Sequence, residues 1–141
     1  MTIGNGLADD GEGGENDQVD GTVEDVVGSQ ARNVLVGSDS ANRLTGGQAN
    51  DELYGGGGND ILDGAAGGGD LLVGDAGNDR LIGRGGQDIL DGGDGTDVFV
   101  AGGGDDLISN ADGIGETVDC GPGNDEAEPD PLDTFIGCEA M

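Results

Sequence analysis

The chain has 141 residues, with 31 acids against 4 arginines, a formal net charge of −27, and no lysine, histidine or tryptophan. That balance excludes nucleic-acid binding through phosphates, which needs Lys and Arg, and it is repelled by anionic membrane surfaces, so the natural counter-ligands are cations. Only 33% of residues are hydrophobic, a composition that with high net charge describes a disordered chain unless a pattern overrides it, and no run approaches the ~20 apolar residues of a membrane span.

Residues 1–23 contain acids and apolar residues without a period and read as an N-terminal cap, as repeat arrays commonly begin. The opening MTIGNGLADD lacks the basic region and apolar run of a secretory signal, which leaves export by another route or an excised piece of a larger protein. Asp9, Asp10, Glu12, Glu15 and Asp17 read as a solvated acidic loop ahead of a metal site. The spacing of an EF-hand does not occur.

From residue 24 a period sets in. An acid or amide recurs at Glu24, Asn33, Asn42, Asp51, Asp60, Asp70, Asp79, Asp88, Asp97, Asp106, Glu116, Asp125 and Asp133. The steps are nine residues long except at Asp60–Asp70 and Asp106–Glu116, which have ten, and at the last, which has eight. Two places after each stands Val26, Leu35, Leu44, Leu53, Leu62, Leu72, Leu81, Leu90, Phe99, Ile108, Val118, Ala127 or Phe135. Such recurrence excludes simple disorder.

The consensus is Gly-Gly-x-Gly-x-Asp-x-U-x, with U apolar. It is complete in GGGGNDILD from Gly55 and GGDGTDVFV from Gly92, and partial in GGQANDELY, GDAGNDRLI, GRGGQDILD, AGGGDDLIS and CGPGNDEAE. With these motifs the chain resembles the RTX, or haemolysin-type calcium-binding, nonapeptide repeat family. The resemblance implies an all-β, right-handed parallel β-roll and a bacterial, secreted module whose folding is coupled to calcium. It divides the chain into the cap at 1–23, β-roll repeats at 24–117, and a degenerate repeat with a C-terminal cap at 118–141.

The residues themselves support a solenoid. The x-U-x tripeptide has strand periodicity, and the six residues before it form a turn in which glycine supplies positive φ. Two nonapeptides make one coil, and coils stack about 4.8 Å apart as two parallel sheets. One edge then stacks Asp51, Asp70, Asp88 and Asp106; the other stacks Asp60, Asp79 and Asp97. Adjacent carboxylates at that spacing repel by roughly 3 kcal/mol per pair at an effective dielectric of 20. Ca²⁺ removes the repulsion and accepts six to eight hard oxygen ligands. Candidate ligands are those seven carboxylates, with the backbone carbonyls of Gly46, Gln48, Gly55, Gly57, Gly64, Ala66, Gly74, Ala76, Gly83, Gly85, Gly92 and Asp94. Pairing neighbouring turns gives about five ions, within a range of roughly four to seven. Asn33 and Asn42 bring no charge to the first coils. The insertions at Gly67–Gly69 and before Glu116 are expected to disturb the columns there. The apolar positions bury too little to offset ordering the chain, so folding is expected to await the metal.

Cys120 and Cys138 are eighteen residues apart, one coil. Stacking would bring them within disulfide range, and the alternative is two free thiols. A staple closing the last coil suits an oxidising compartment, and Pro122, Pro129 and Pro131 mark the end of regular stacking. No catalytic constellation is evident: there is no histidine, and the acids recur in every repeat rather than forming one singular site. A P-loop is excluded by the absence of lysine. The four arginines read as surface charges, with Arg80 and Arg84 a minor candidate contact for an anionic glycan. The sequence therefore reads as a monomeric, non-enzymatic calcium-binding module of a larger exported protein, with calcium as its partner and a passenger domain or extracellular polysaccharide beyond it. The alternative is an adhesin-like, glycan- or ice-binding surface on the same solenoid.

Overall fold

A strand with one inward residue between two outward ones cannot hold its place alone; repetition lets many such strands share one core. The computed structural model describes residues 2–3, 16–19, 25–128 and 130–138, the first two segments through their backbone only. The strands in chain order are β1 (Thr2–Ile3), β2 (Asn16–Val19), β3 (Asp25–Val27), β4 (Val34–Val36), β5 (Arg43–Gly47), β6 (Glu52–Gly57), β7 (Ile61–Ala65) and β8 (Leu71–Ala76). They continue as β9 (Arg80–Gly85), β10 (Ile89–Asp91), β11 (Val98–Gly103), β12 (Leu107–Ser109), β13 (Thr117–Asp119), β14 (Glu126–Ala127) and β15 (Thr134–Ile136). The described residues contain no helix, hence none long and apolar enough to cross a membrane.

From β2 onward successive strands alternate between two sheets, ordered β1-β2-β4-β6-β8-β10-β12-β14 and β15-β13-β11-β9-β7-β5-β3. Each neighbouring pair is parallel; β6 on β8, for example, aligns Leu53 with Leu72, and β9 on β11 aligns Leu81 with Phe99. The architecture is the parallel β-roll expected from the repeat. Twelve of the thirteen apolar positions named above are 0–2% exposed and fill the space between the sheets. Phe135 is partly buried against the end of that core. Each fully buried Leu or Phe contributes about 1.5–3 kcal/mol.

Three details differ from the sequence reading. Strands β5 to β9 and β11 reach five or six residues, running past the x-U-x tripeptide into the turn that follows. They do so because turn backbones also bond between coils: Gly57 N–H donates to the Ser38 carbonyl at 2.7 Å and Asp94 N–H to the Asp75 carbonyl at 2.7 Å. At the front, β2 pairs with β4 and places Asp17 opposite Leu35, so the first sheet continues into the segment read as a cap. Asp9, Asp10, Glu12 and Glu15 lie outside the described residues, as does Pro129. Finally, the extra residue at Gly67–Gly69 is taken up within the turn, and β6 and β8 keep their register.

The Cys120–Cys138 disulfide joins adjacent coils with a Cα separation of 5.1 Å. Cys120 is wholly buried at the end of the core. Closing a loop of this size is worth about 3 kcal/mol. Reduction is expected to lower calcium-saturated stability by about that amount, read as a shift in urea midpoint with and without reductant at constant m.

Candidate metal columns along the two edges

The turns set the columns because each coil approaches the next at glycine. At Gly77, with φ of +145°, a Cβ would lie far inside 3.0 Å of the Gly58 carbonyl oxygen on the preceding coil. The same clash recurs at Gly86 against Gly68, Gly95 against Gly77 and Gly104 against Gly86.

The seven predicted carboxylates stand where the nine-residue register puts them. Along one edge the N–H of Asn33, Asp51, Asp70 and Asp88 donates to Oδ1 of Asp51, Asp70, Asp88 and Asp106 respectively, at 2.7–2.8 Å. Along the other, the N–H of Asn42, Asp60 and Asp79 donates to Oδ1 of Asp60, Asp79 and Asp97, at 2.6–2.7 Å. Asp70 therefore keeps its place despite the preceding insertion. Glu116 also stays in its column, its Oε1 accepting from Asp97 N–H at 3.3 Å; the expected interruption does not occur, because β11 and β13 keep their register and the extra residue is taken up in the turn before Glu116.

Each of these carboxylates uses one oxygen. Oδ2 of Asp51, Asp60, Asp70, Asp79, Asp88, Asp97 and Asp106 is buried and without a hydrogen-bond partner, on side chains that are 0–2% exposed. Leaving a charged oxygen dry and unpaired is strongly unfavourable, and six of these carboxyls, those of Asp60, Asp70, Asp79, Asp88, Asp97 and Asp106, are pushed towards the protonated form. Burial is the largest cause, opposed by the backbone N–H bond: Asp79 rises to about 7, and Asp70 and Asp106 rise to about 6. Asp60, Asp88 and Asp97 rise for the same reason.

The space beside these oxygens is bounded by more oxygen. Where a Cβ would stand at Gly46, Gly55, Gly64, Gly74 and Gly83, the Oδ2 of the same repeat lies within 3.0 Å. So does the carbonyl oxygen of Gly64, Gly74, Gly83, Gly92 or Ala101, which opens the repeat one coil on. The carbonyls of Gly46 and Gly55 stand in the same relation to Gly28 and Gly37. Further out in the turn, the carbonyls of Ala76, Gly85 and Asp94 accept bonds from N–H of Gly58, Gly68 and Gly77, at 2.9–3.4 Å. Gly57 and Ala66 donate their N–H to the Ser38 and Gly47 carbonyls. The Gln48 carbonyl lies 3.9 Å from the position of a Cβ on Gly67. Among the described residues no three acidic or sulfur side chains converge as a metal cluster, so an ion here would take much of its coordination from backbone carbonyls. Orphaned carboxylate oxygens beside carbonyls form a hard, all-oxygen donor set of the kind Ca²⁺ takes.

A family model for the RTX calcium-binding nonapeptide repeat, in four copies, matches residues 27–62, 36–71, 65–99, 73–108 and 92–114. The chain belongs to the RTX calcium-binding nonapeptide repeat family. No curated protein and no solved structure matches it. As an RTX repeat chain it is a calcium-binding β-roll module, and members of the family are typically bacterial and secreted.

Two features of this RTX roll go beyond the sequence reading. Arg84, read as a surface charge, forms a bidentate pair with Asp63 at 2.6 and 2.7 Å. That contact holds the buried Asp63 carboxyl below the usual range and removes Arg84 as a free anion contact; Arg32 likewise pairs with Glu52. The second feature is the pair of amides. Asn42 Oδ1 accepts from N–H and Oγ of Ser38, and Asn33 Oδ1 accepts from N–H and Oγ of Ser29. The signal was present as the paired GSQARN and GSDSAN, in which Ser replaces the second glycine and Asn the acid.

Proposed function

We propose that Asp51, Asp60, Asp70, Asp79, Asp88, Asp97 and Asp106 hold Ca²⁺ between successive turns and that the chain folds on binding it, after export as part of a larger protein. The observation that carries this reading is the row of dry, unpartnered carboxylate oxygens along both edges. A bound cation keeps these groups ionised and supplies the partner each lacks, so site and fold form together. The supporting carbonyls are first those opening the repeats, Gly46, Gly55, Gly64, Gly74, Gly83 and Gly92, which border the orphaned oxygens or the equivalent space in the first coils. Those of Gln48, Gly57, Ala66, Ala76, Gly85 and Asp94 are second in line, since three of them already accept interturn bonds. In this reading 24–117 is the calcium-folded array, and the ends at 1–23 and 118–141 cap it. The module is structural rather than enzymatic, because its acids repeat instead of converging. The glycan-binding alternative gains no comparable support, since Phe99 is wholly buried and Phe135 packs on the core.

Far-UV circular dichroism during a calcium titration from a chelated start tests it. The expected result is little β signal in chelator and a cooperative gain at sub-millimolar to millimolar Ca²⁺, with no gain from Mg²⁺, whose octahedral demand a carbonyl-rich turn does not meet. Full β structure in chelator would show that the edges are sites on a prefolded scaffold.

A further inference from the structure

Both columns continue beyond the seven aspartates, and the continuation carries the same chemical signature. Asp106 N–H donates to Asp125 Oδ1 at 3.0 Å, and Asp97 N–H donates to Glu116 Oε1 at 3.3 Å. Asp125 is 0% and Glu116 3% exposed. The second oxygen of each, Asp125 Oδ2 and Glu116 Oε2, is buried with no hydrogen-bond partner, as in the consensus repeats. Neither residue lies in the family match, which ends at 114. Glu116 also departs from the consensus in residue type and follows a one-residue insertion.

The ends of the columns look different. Asp133 accepts from Glu116 N–H at 3.0 Å through Oδ1, and from Asn110 Nδ2 at 2.7 Å and Asp130 N–H at 3.0 Å through Oδ2. Both of its oxygens are engaged. Asn33 and Asn42 are supplied by Ser29 and Ser38 as described, and Asn33 Nδ2 donates to Asp51 Oδ1 at 2.9 Å and to the Ala31 carbonyl at 2.6 Å. Among the described residues each column thus starts at an amide held by its own turn. One runs through carboxylates that each lack a partner for one oxygen and then ends at a carboxylate supplied by hydrogen bonds.

We infer that Glu116 and Asp125 are further calcium ligands, adding one ion between Asp97 and Glu116 and one between Asp106 and Asp125, while the Asn33 and Asn42 turns hold no ion. This rests on the proposed calcium columns. It raises the count from about five to about seven ions, since the orphaned carboxylates then bound four intervals on one edge and three on the other. The Asn-Ser turns and Asp133 are metal-independent ends, their polar groups satisfied by the protein itself.

Native mass spectrometry of the full chain in saturating calcium counts the ions directly. About seven are expected for the unaltered chain, one fewer for Asp125→Asn and one fewer for Glu116→Gln. Asp88→Asn, inside the matched repeats, serves as the reference loss. A count of about five in the unaltered chain, or unchanged counts in Asp125→Asn and Glu116→Gln while Asp88→Asn loses ions, overturns this inference and leaves the columns standing. An unaltered chain that takes up no calcium overturns both. Because the unaltered chain is itself informative, a variant that fails to fold does not block the test.

Discussion

Gly77→Ala is expected to destabilise the calcium-saturated roll by about 3 kcal/mol or more, whereas Gly85→Ala is expected to cost less than about 0.5 kcal/mol. Both positions are glycines of the turns, eight residues apart, yet their surroundings differ. Gly77 has φ of +145°, a conformation essentially reserved for glycine, and its missing Cβ points at the backbone of Gly58. Backbone cannot swing away as a side chain can, so the two coils must separate, which lengthens the bond from Gly58 N–H to the Ala76 carbonyl. At Gly85 the nearest atom to a Cβ is the Gly103 carbonyl oxygen at 3.8 Å, an ordinary contact. Urea unfolding of the two variants in saturating calcium separates these cases. Equal, small effects would mean that the coils do not stack as closely as described.

Acid and calcium are expected to act on the fold with opposite pH dependence. Carboxyls raised from their ordinary values of 3.8 or 4.5 to about 7 at Asp79, about 6 at Asp70 and Asp106, and about 8 at Glu116 bind protons more tightly folded than unfolded. Their contribution to the metal-free roll is fully present below about pH 4 and is lost as pH rises through about 6 to 8. Asp63 and the exposed Asp105 have the other sign: lowered by Arg84 and by the Asn124 hydrogen bonds respectively, they favour the fold above their unfolded values and lose that as pH falls, but they are two groups against several. The chelated chain should therefore gain β structure on going from about pH 8 to about pH 5. In saturating calcium the order reverses, because protons then compete with the ion for the same oxygens. Thermal unfolding at both pH values, with chelator and with calcium, gives curves that cross. Parallel trends in the two series would sink the idea that these carboxylates are both the cost of the empty fold and the seat of the ion.

What the sequence by itself determined about this protein is whatever depends on the nine-residue phase. The phase is a local property, and each residue's inward or outward direction follows from its place in it. That is why Leu62, Leu72 and Phe99 could be put in the core, and Asp51, Asp70 and Asp88 on one edge, before any coordinates. The Cys120–Cys138 bridge followed from the same coil length. What only the tertiary structure decided are relations between coils. The one-residue insertions did not break the columns, because glycine-containing turns absorbed both and the strands beyond them kept their register. Arg84 found Asp63 twenty-one residues back, a contact that exists only once turns are stacked. Which carboxylate oxygen is satisfied and which is left dry is also a matter of the coil next door: Asp125 and Asp133 look alike in sequence, yet only Asp133 has neighbours that occupy both its oxygens. Periodicity assigns a side chain to a face; the hydrogen bonds it finds there come from residues about one coil away, and their register is settled only by packing.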